Sequence, residues 1–273
     1  MVIAALVLAP VAGPARGADL DAEILQQAGI TPVEYGSGWY LRGDIGWNHA
    51  VDGNLTFYSD ARYDYDNQKF GEGVSYSLGV GHIFNDWFRA DVTLDYSGNN
   101  EWSGSTTGTG CGVGFDADCY SVDSATYDRY SLHANAYLNL ANWYGISPYV
   151  GAGVGLSHVT WNDYASVATC AVDPTETCPY GVHSGSSATE YFSGPTTSYP
   201  SADSTVLSYS LMAGVDYRID ERWKLDFGYK WTHLHGGKVV AANVNGPGAP
   251  QGDSLVDRLA IHEFRVGLRY EIW

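Results

Sequence analysis

Two files of side chains alternate along most of this 273-residue chain, and that alternation limits what it can fold into. In FRVGLRYEIW, residues 264–273, Phe264, Val266, Leu268, Tyr270 and Ile272 share one face, and Arg265, Gly267, Arg269 and Glu271 share the other. A period of two means strand, because successive side chains of an extended backbone point to opposite sides. Seven further segments read the same way: 38–50, 73–84, 87–97, 130–140, 149–159, 206–219 and 223–233. In the cleanest, WFRADVTLDYS, the residues Phe88, Ala90, Val92, Leu94 and Tyr96 oppose Arg89, Asp91, Thr93, Asp95 and Ser97.

The connections alternate in length. Tight links at NDW, ANWYGIS and DER follow the second, fourth and sixth segments, while stretches 51–72, 98–129, 160–205 and 234–258 follow the others and read as long polar loops. Eight two-faced strands with short turns at one end and long loops at the other predict an all-β fold, an eight-stranded antiparallel up-and-down transmembrane β-barrel. Each segment has ten or so residues, enough to cross a hydrocarbon layer at a tilt. Beyond the first few residues no apolar run reaches about 18, which excludes membrane helices. An even strand count puts both termini on the periplasmic side of a cell outer membrane.

The polar file indicates which face is interior. It carries seven basic residues, Arg42, Arg89, Arg218, Lys224, Lys230, Arg265 and Arg269, and seven acidic ones, Asp44, Asp91, Asp95, Asp216, Asp226, Glu263 and Glu271. The formal net charge of −17 therefore falls entirely outside this file. Eight strands leave a lumen only wide enough for side chains, and an unpaired charge buried there costs several kcal/mol. A neutral set of 14 predicts a lumen plugged by ion pairs. Gly151, Gly153 and Gly155 face the same way and read as clearance for longer side chains across the barrel. Trp39, Trp47, Phe88, Trp223, Trp231 and Trp273 close the apolar file at its ends, as aromatic girdles at the membrane interfaces do. The acidic balance argues against nucleic acid, which selects a basic face.

Residues 1–18 read as a secretory signal, a short apolar stretch followed by small residues with cleavage after Ala15 or Ala18. Residues 19–36 form a periplasmic lead segment and residues 37–273 the barrel with four external loops. Of four cysteines, Cys111 and Cys119 bracket one short loop and Cys170 and Cys178 another. Three connectivities are open to four cysteines; local closure costs least chain entropy and predicts these two disulfides.

GWYLRGDIGW, FRADVTLDYS, SPYVGAGVGLSH and FRVGLRYEIW resemble the small outer-membrane β-barrel surface proteins of alphaproteobacteria, the opacity-protein and related surface antigens. The resemblance spans about residues 37–273 and is weakest in the loops. It implies insertion by the outer-membrane assembly machinery, which reads an aromatic final strand, and contact with outer-membrane lipid and lipopolysaccharide. The family's usual ending is a terminal Phe in phase with the apolar file, whereas here that file stops at Ile272 and Trp273 is out of phase.

Catalytic constellations are not evident. His82, His158 and His262 lie on outward files without a Ser or Glu two residues away, and His133 points inward among Asn135 and Tyr137. His233 and His235 lack a carboxylate between them, so they fall short of a metal site. The DYDN stretch (Asp64, Asp66, Asn67) is followed by Lys69 and Phe70 where a calcium loop needs its glycine turn. No metal or cofactor is implied. The expectation is a non-catalytic structural and surface-antigen barrel, with a narrow porin-like channel or a lipid A modifying enzyme as rival readings.

Overall fold

The periodic segments become eight long strands in the computed structural model, which describes residues 38–58, 62–65, 67–106, 118–173, 176–179, 181–182, 189–240 and 254–272. They are β1 (Trp39–Tyr58), β2 (Glu72–Asn85), β3 (Phe88–Thr106), β4 (Asp118–Asn139), β5 (Ile146–Val172), β6 (Ala202–Arg218), β7 (Trp223–Val240) and β8 (Ser254–Ile272). Each pairs antiparallel with the next. β8 pairs back onto β1, with Trp39 opposite Ile272 and Trp47 opposite Phe264, so the ring closes. Closure leaves the eight-strand ring without an open edge among the described residues, the condition a sheet must meet inside hydrocarbon.

The pleat then sorts the two files. Leu78 and Ile45 face outward, 70% and 60% exposed, while their chain neighbours Ser77 and Asp44 are buried inside. Outward apolar residues run from Trp39 to Trp47 on β1 and from Trp223 to Trp231 on β7. Nine residues rising about 3.3 Å each at a tilt of about 40° cover roughly 23 Å. That matches an apolar band of about 25 Å.

Side-chain caps hold the short turns. Asn85 Oδ1 accepts from the backbone N–H of Trp87 (3.1 Å) and Phe88 (2.8 Å) between β2 and β3. Asp220 Oδ1 does the same for Arg222 (2.7 Å) and Trp223 (2.8 Å) between β6 and β7. These bonds to the charged form hold the exposed Asp220 carboxyl below its ordinary range.

At the other end the strands outrun the sequence pattern. β4 has 22 residues and β5 has 27, so much of 98–129 and 160–205, expected as polar loop, is strand. Residues 51–58 and 234–240 are likewise strand. The pattern breaks where the bilayer ends because the outer face there meets water and carries no apolar file.

Two bulges mark that level, one between Ser97 and Asn100 on β3 and one between Asn162 and Ala165 on β5, across from Ser124 and Thr126. Their extra residues include Asn99 (φ 54°) and Asp163 (φ 52°). Asn and Asp enter this left-handed region more readily than other non-glycine residues. One inserted residue reverses the facing of everything beyond it. Trp102, an even-numbered residue on a strand whose even residues faced lipid, turns inward as a result.

Short strands extend the wall. Arg62–Asp64 pairs with β1 and Asn67–Phe70 with β3. Above Trp161, where β6 leaves β5, Glu190–Ser198 takes over pairing with β5 residues 165–172, with a break in register around Gly194 and Pro195. Among the described residues its other edge has no strand partner. A two-stranded sheet of Thr177–Cys178 and Gly181–Val182 lies at the tip. There the Cys170–Cys178 disulfide is formed. Cys119 is also disulfide-bonded. Cys111, the leading residues 1–36 and Trp273 lie outside the described residues.

Candidate functional site

Strand facing brings the inward side chains into three levels along the barrel. The lowest, at the short-turn end, holds Arg89, Asp216, Lys224, Arg269 and Glu271. Arg269 Nη2 donates to Asp216 Oδ2 at 2.8 Å, and Arg89 Nη2 approaches the same oxygen at 3.4 Å. The Arg89 guanidinium lies over the rings of Tyr137 and Tyr149, 4.1 and 4.8 Å from their centroids. Lys224 and Glu271, both partly buried, form an ion pair at 2.5 Å. Arg218 stands at the mouth of the lumen: it is the last residue of β6, exposed to water, and lines the same space as Arg89, Asp216, Lys224 and Arg269.

The middle level is a continuous polar network. Arg42 holds Asp44 with two bonds (2.7 and 3.0 Å) and reaches Asp91 (3.2 Å) and the Tyr137 hydroxyl (2.9 Å). Arg42 also lies 3.9 Å from Asp226, which accepts from the Tyr149 hydroxyl at 3.0 Å. Lys230 donates to Asp95 at 2.8 Å, and His133 Nδ1 lies 3.0 Å from the same oxygen. His133 Nε2 meets Ser208 (2.9 Å), which also accepts from Ser157 (2.9 Å). Ser75 donates to Glu263 at 2.9 Å, and Arg265 Nη2 lies 3.5 Å from Met212 Sδ. Bonds of this kind, charged and bidentate, are the strong ones. Room for the larger members comes from glycine: a Cβ at Gly151 would sit 2.6 Å from Tyr137 Cδ1.

The third level has the opposite character. Ala50, Trp102, Ala125, Tyr127, Val159, Trp161, Leu234, Leu259 and Ile261 are buried against one another. Trp161 packs on Tyr127 at 4.8 Å, and Trp102 lies edge-on to Tyr65 at 5.1 Å. Above them the buried Asp123 accepts from Tyr65 (2.6 Å) and Tyr164 (3.0 Å), whose hydroxyls also touch each other. Burial, reinforced by the Asp123 carboxylate, pushes both phenols above their ordinary range.

Sequence reasoning passed over this level. Tyr127, Trp161 and Tyr164 lie in stretches read as loop, and the bulge at Asn99 hides the facing of Trp102. The signal available was density: three Trp or Tyr residues at 127, 161 and 164, flanking Asn or Asp residues able to take a positive φ.

On the outer surface Trp39, Trp47 and Trp223 are exposed, and Phe88 and Trp231 are half-buried. Trp87 and Trp143, exposed in the short turns, join the lower set. Trp47 stacks on Phe264 at 6.5 Å and Tyr209 meets Trp231 edge-on at 5.7 Å. The outward histidines sit in aromatic or hydroxyl surroundings. His82 packs on Trp39, His158 bonds Thr205 at 3.0 Å, and His262 contacts the Tyr229 hydroxyl. His233 and His235 have ring centroids 6.3 Å apart. Among the described residues no group of three or more His, Cys, Asp or Glu is arranged to hold a metal ion.

A closed eight-strand ring with this facing matches a known family. The model of the outer membrane protein beta-barrel domain fits residues 4–271. The chain belongs to this family. Its relatives include an uncharacterized protein of Brucella suis biovar 1, 29% identical, with 94% of this chain and 92% of the relative covered. A Rickettsia bellii protein provisionally named an adhesin is 26% identical, covering 84% of this chain and 90% of its own length. Among solved structures, Neisserial surface protein A is 15% identical with a TM-score of 0.41, covering 86% of this chain and 97% of its own. This outer-membrane beta-barrel is thus a protein of the cell outer membrane.

Proposed function

We propose that this outer-membrane barrel is a non-catalytic surface-display protein whose lumen is closed to solutes. The short-turn end and both termini face the periplasm, and the extended strands lift a folded, disulfide-tied tip above the lipid headgroups. The observation that carries this reading is the change of interior along one set of strands. A polar network fills the barrel at membrane depth, and the layer of Trp102, Tyr127 and Trp161 seals it above. A solute path needs a wet wall, and an apolar layer across the mouth opposes one. Below that layer, Arg42 alone bonds groups on β1, β3 and β4, so opening a pore would break several charged bonds together.

Strand length supports display. β5, with 27 residues, has a path of roughly 89 Å. At a tilt of about 40° it rises roughly 68 Å, against about 25 Å of apolar band. The remainder stands in water as a packed body. Outer-membrane lipid and lipopolysaccharide contact the outward files, the assembly machinery inserts the chain, and the provisional adhesin name of the Rickettsia relative agrees with a tip that meets another surface.

Two measurements test the reading. Purified barrel in planar bilayers should give no steady conductance at neutral pH; lasting open channels would overturn closure. A tag inserted between Ser184 and Ser187 should be accessible to antibody on intact cells, and one placed in residues 19–36 only after the outer membrane is permeabilised. The reverse pattern would overturn the orientation.

A further inference from the structure

At the short-turn end the barrel is hollow. A cavity of about 600 Å³ opens there beneath the Arg89 level, lined by Arg89, Arg218, Lys224 and Arg269 on one side of the charge balance and by Asp86, Asp216 and Glu271 on the other. Four cations face three carboxylates. In a chain whose formal net charge is −17, this is a local surplus of positive charge.

Arg89 sharpens the point. It is 1% exposed and clamped between Tyr137 and Tyr149, yet only Nη2 reaches a carboxylate, at 3.4 Å. Its Nε and Nη1 have no hydrogen-bond acceptor among the described residues, and Nε of Arg269 has only the Glu271 carboxylate at 3.8 Å. Buried donors left unmet are costly, and guanidinium donors above all. Enclosed between the two rings, the Arg89 guanidinium is not solvated as a surface arginine is. Lys224, paired with Glu271 and only partly buried, stands beside the same space and completes a ring of donors.

We infer that this vestibule is a binding site for a small oxyanion of the phosphate or carboxylate class, entering from the short-turn end. Arg89 and Arg269 supply positive charge behind the floor, Lys224 supplies a donor and charge at the wall, and Glu271 limits affinity by repulsion. Guanidinium groups suit such ligands because their planar donors match oxygen acceptors. The volume admits an anion carried on a larger polar body. The site rests on the geometry of the barrel interior alone; the orientation proposed above adds only that the anion is a periplasmic solute.

The test is calorimetric titration of the folded barrel in an uncharged maltoside detergent, with inorganic phosphate as the probe and ionic strength held constant with sodium chloride. Saturable binding of one phosphate per barrel is expected. Lys224→Gln should weaken it about tenfold, the scale of one charged hydrogen bond. Glu271→Gln should tighten it several-fold by removing a repelling carboxylate. Arg222→Gln, an exposed residue outside the cavity, should leave it unchanged. Heat-modifiable gel mobility checks that each variant is folded, and if Lys224→Gln fails that check the Glu271→Gln arm decides alone. N-acetylglycine, a carboxylate probe, is titrated in the same way, and the tighter-binding of the two identifies the preferred oxyanion class. Heat that does not saturate, or binding that is equal in the parent and the folded Lys224 and Glu271 variants, overturns the site.

Discussion

Replacing Asp95 by Leu tests how the interior is held. Lys230 Nζ lies 2.8 Å from Asp95 Oδ2, joining β7 to β3 across the lumen, and both residues are almost wholly buried at 3% and 5% exposure. At that distance, with an effective dielectric of about 20, the attraction is about 6 kcal/mol. Desolvating the two ions costs several kcal/mol each, so the intact pair is close to break-even, while a broken one leaves an uncompensated charge. Asp95→Leu should therefore destabilise the barrel by about 3–5 kcal/mol. It removes the acceptor of His133 Nδ1 as well. Lys230→Met should cost somewhat less, because Asp95 keeps His133 and Thr93 as neighbours. The double variant should return to within about 1 kcal/mol of the parent, since an apolar pair of similar volume is often as stable as the ions it replaces. Urea unfolding from lipid vesicles, followed by tryptophan fluorescence and by gel mobility, supplies the four free energies of the cycle. Strictly additive losses would show that the two groups do not act as a pair. An Asp95→Leu barrel as stable as the parent would mean that water reaches this level and that the polar interior is not dry.

Three further outcomes are expected. Leu268→Arg places a cation on the outward file and should cost about 2–4 kcal/mol near the bilayer midplane; folding into vesicles as efficient as the parent's would sink the lipid-facing assignment. Deleting Asn99 removes the bulge and should turn Trp102 outward, giving up about 3–5 kcal/mol of aromatic burial in the upper layer while the membrane-level network survives. Protease resistance that falls at the tip alone is the expected signature, and unchanged resistance would refute the phase argument. Finally, a phenol whose pKa is raised on folding adds stability below its unfolded value near 10 and loses it as pH climbs further. Tyrosinate absorbance should show two fewer late-titrating phenols in a Tyr65→Phe, Tyr164→Phe variant than in the parent; identical curves would contradict the burial of that pair.

The barrel was legible in the sequence to the extent that lipid imposes a rule on it. Between Trp39 and Trp47, or Val150 and Leu156, hydrocarbon outside and a narrow lumen inside force strict alternation, and strand count, facing and closure follow. Above that level the constraint relaxes. Asn99 and Asp163 each shift the phase by one residue, so Trp102 and Tyr164 appear on the wrong file in a reading that assumes constant parity. Arg218 keeps the inward parity of Asp216 but lies at the strand end, so it lines the mouth of the lumen without being enclosed. The vestibule needed three dimensions, because its donors come from β3, β7 and β8 and only their shared depth in the barrel joins them.

The strand Glu190–Ser198 bears on how such barrels live side by side. Molecules embedded in one membrane are held at the same height, so equivalent edges of neighbours meet repeatedly and in register. An open strand edge at that height is a template for pairing with its copies. Here Gly194 and Pro195 interrupt the strand at its centre, where the register to β5 breaks between Ser193 and Thr196. Proline offers no N–H to an incoming strand, and the break leaves only short runs on either side. In the proposed orientation the tips can therefore stand crowded at one height as separate units instead of pairing edge to edge with their neighbours.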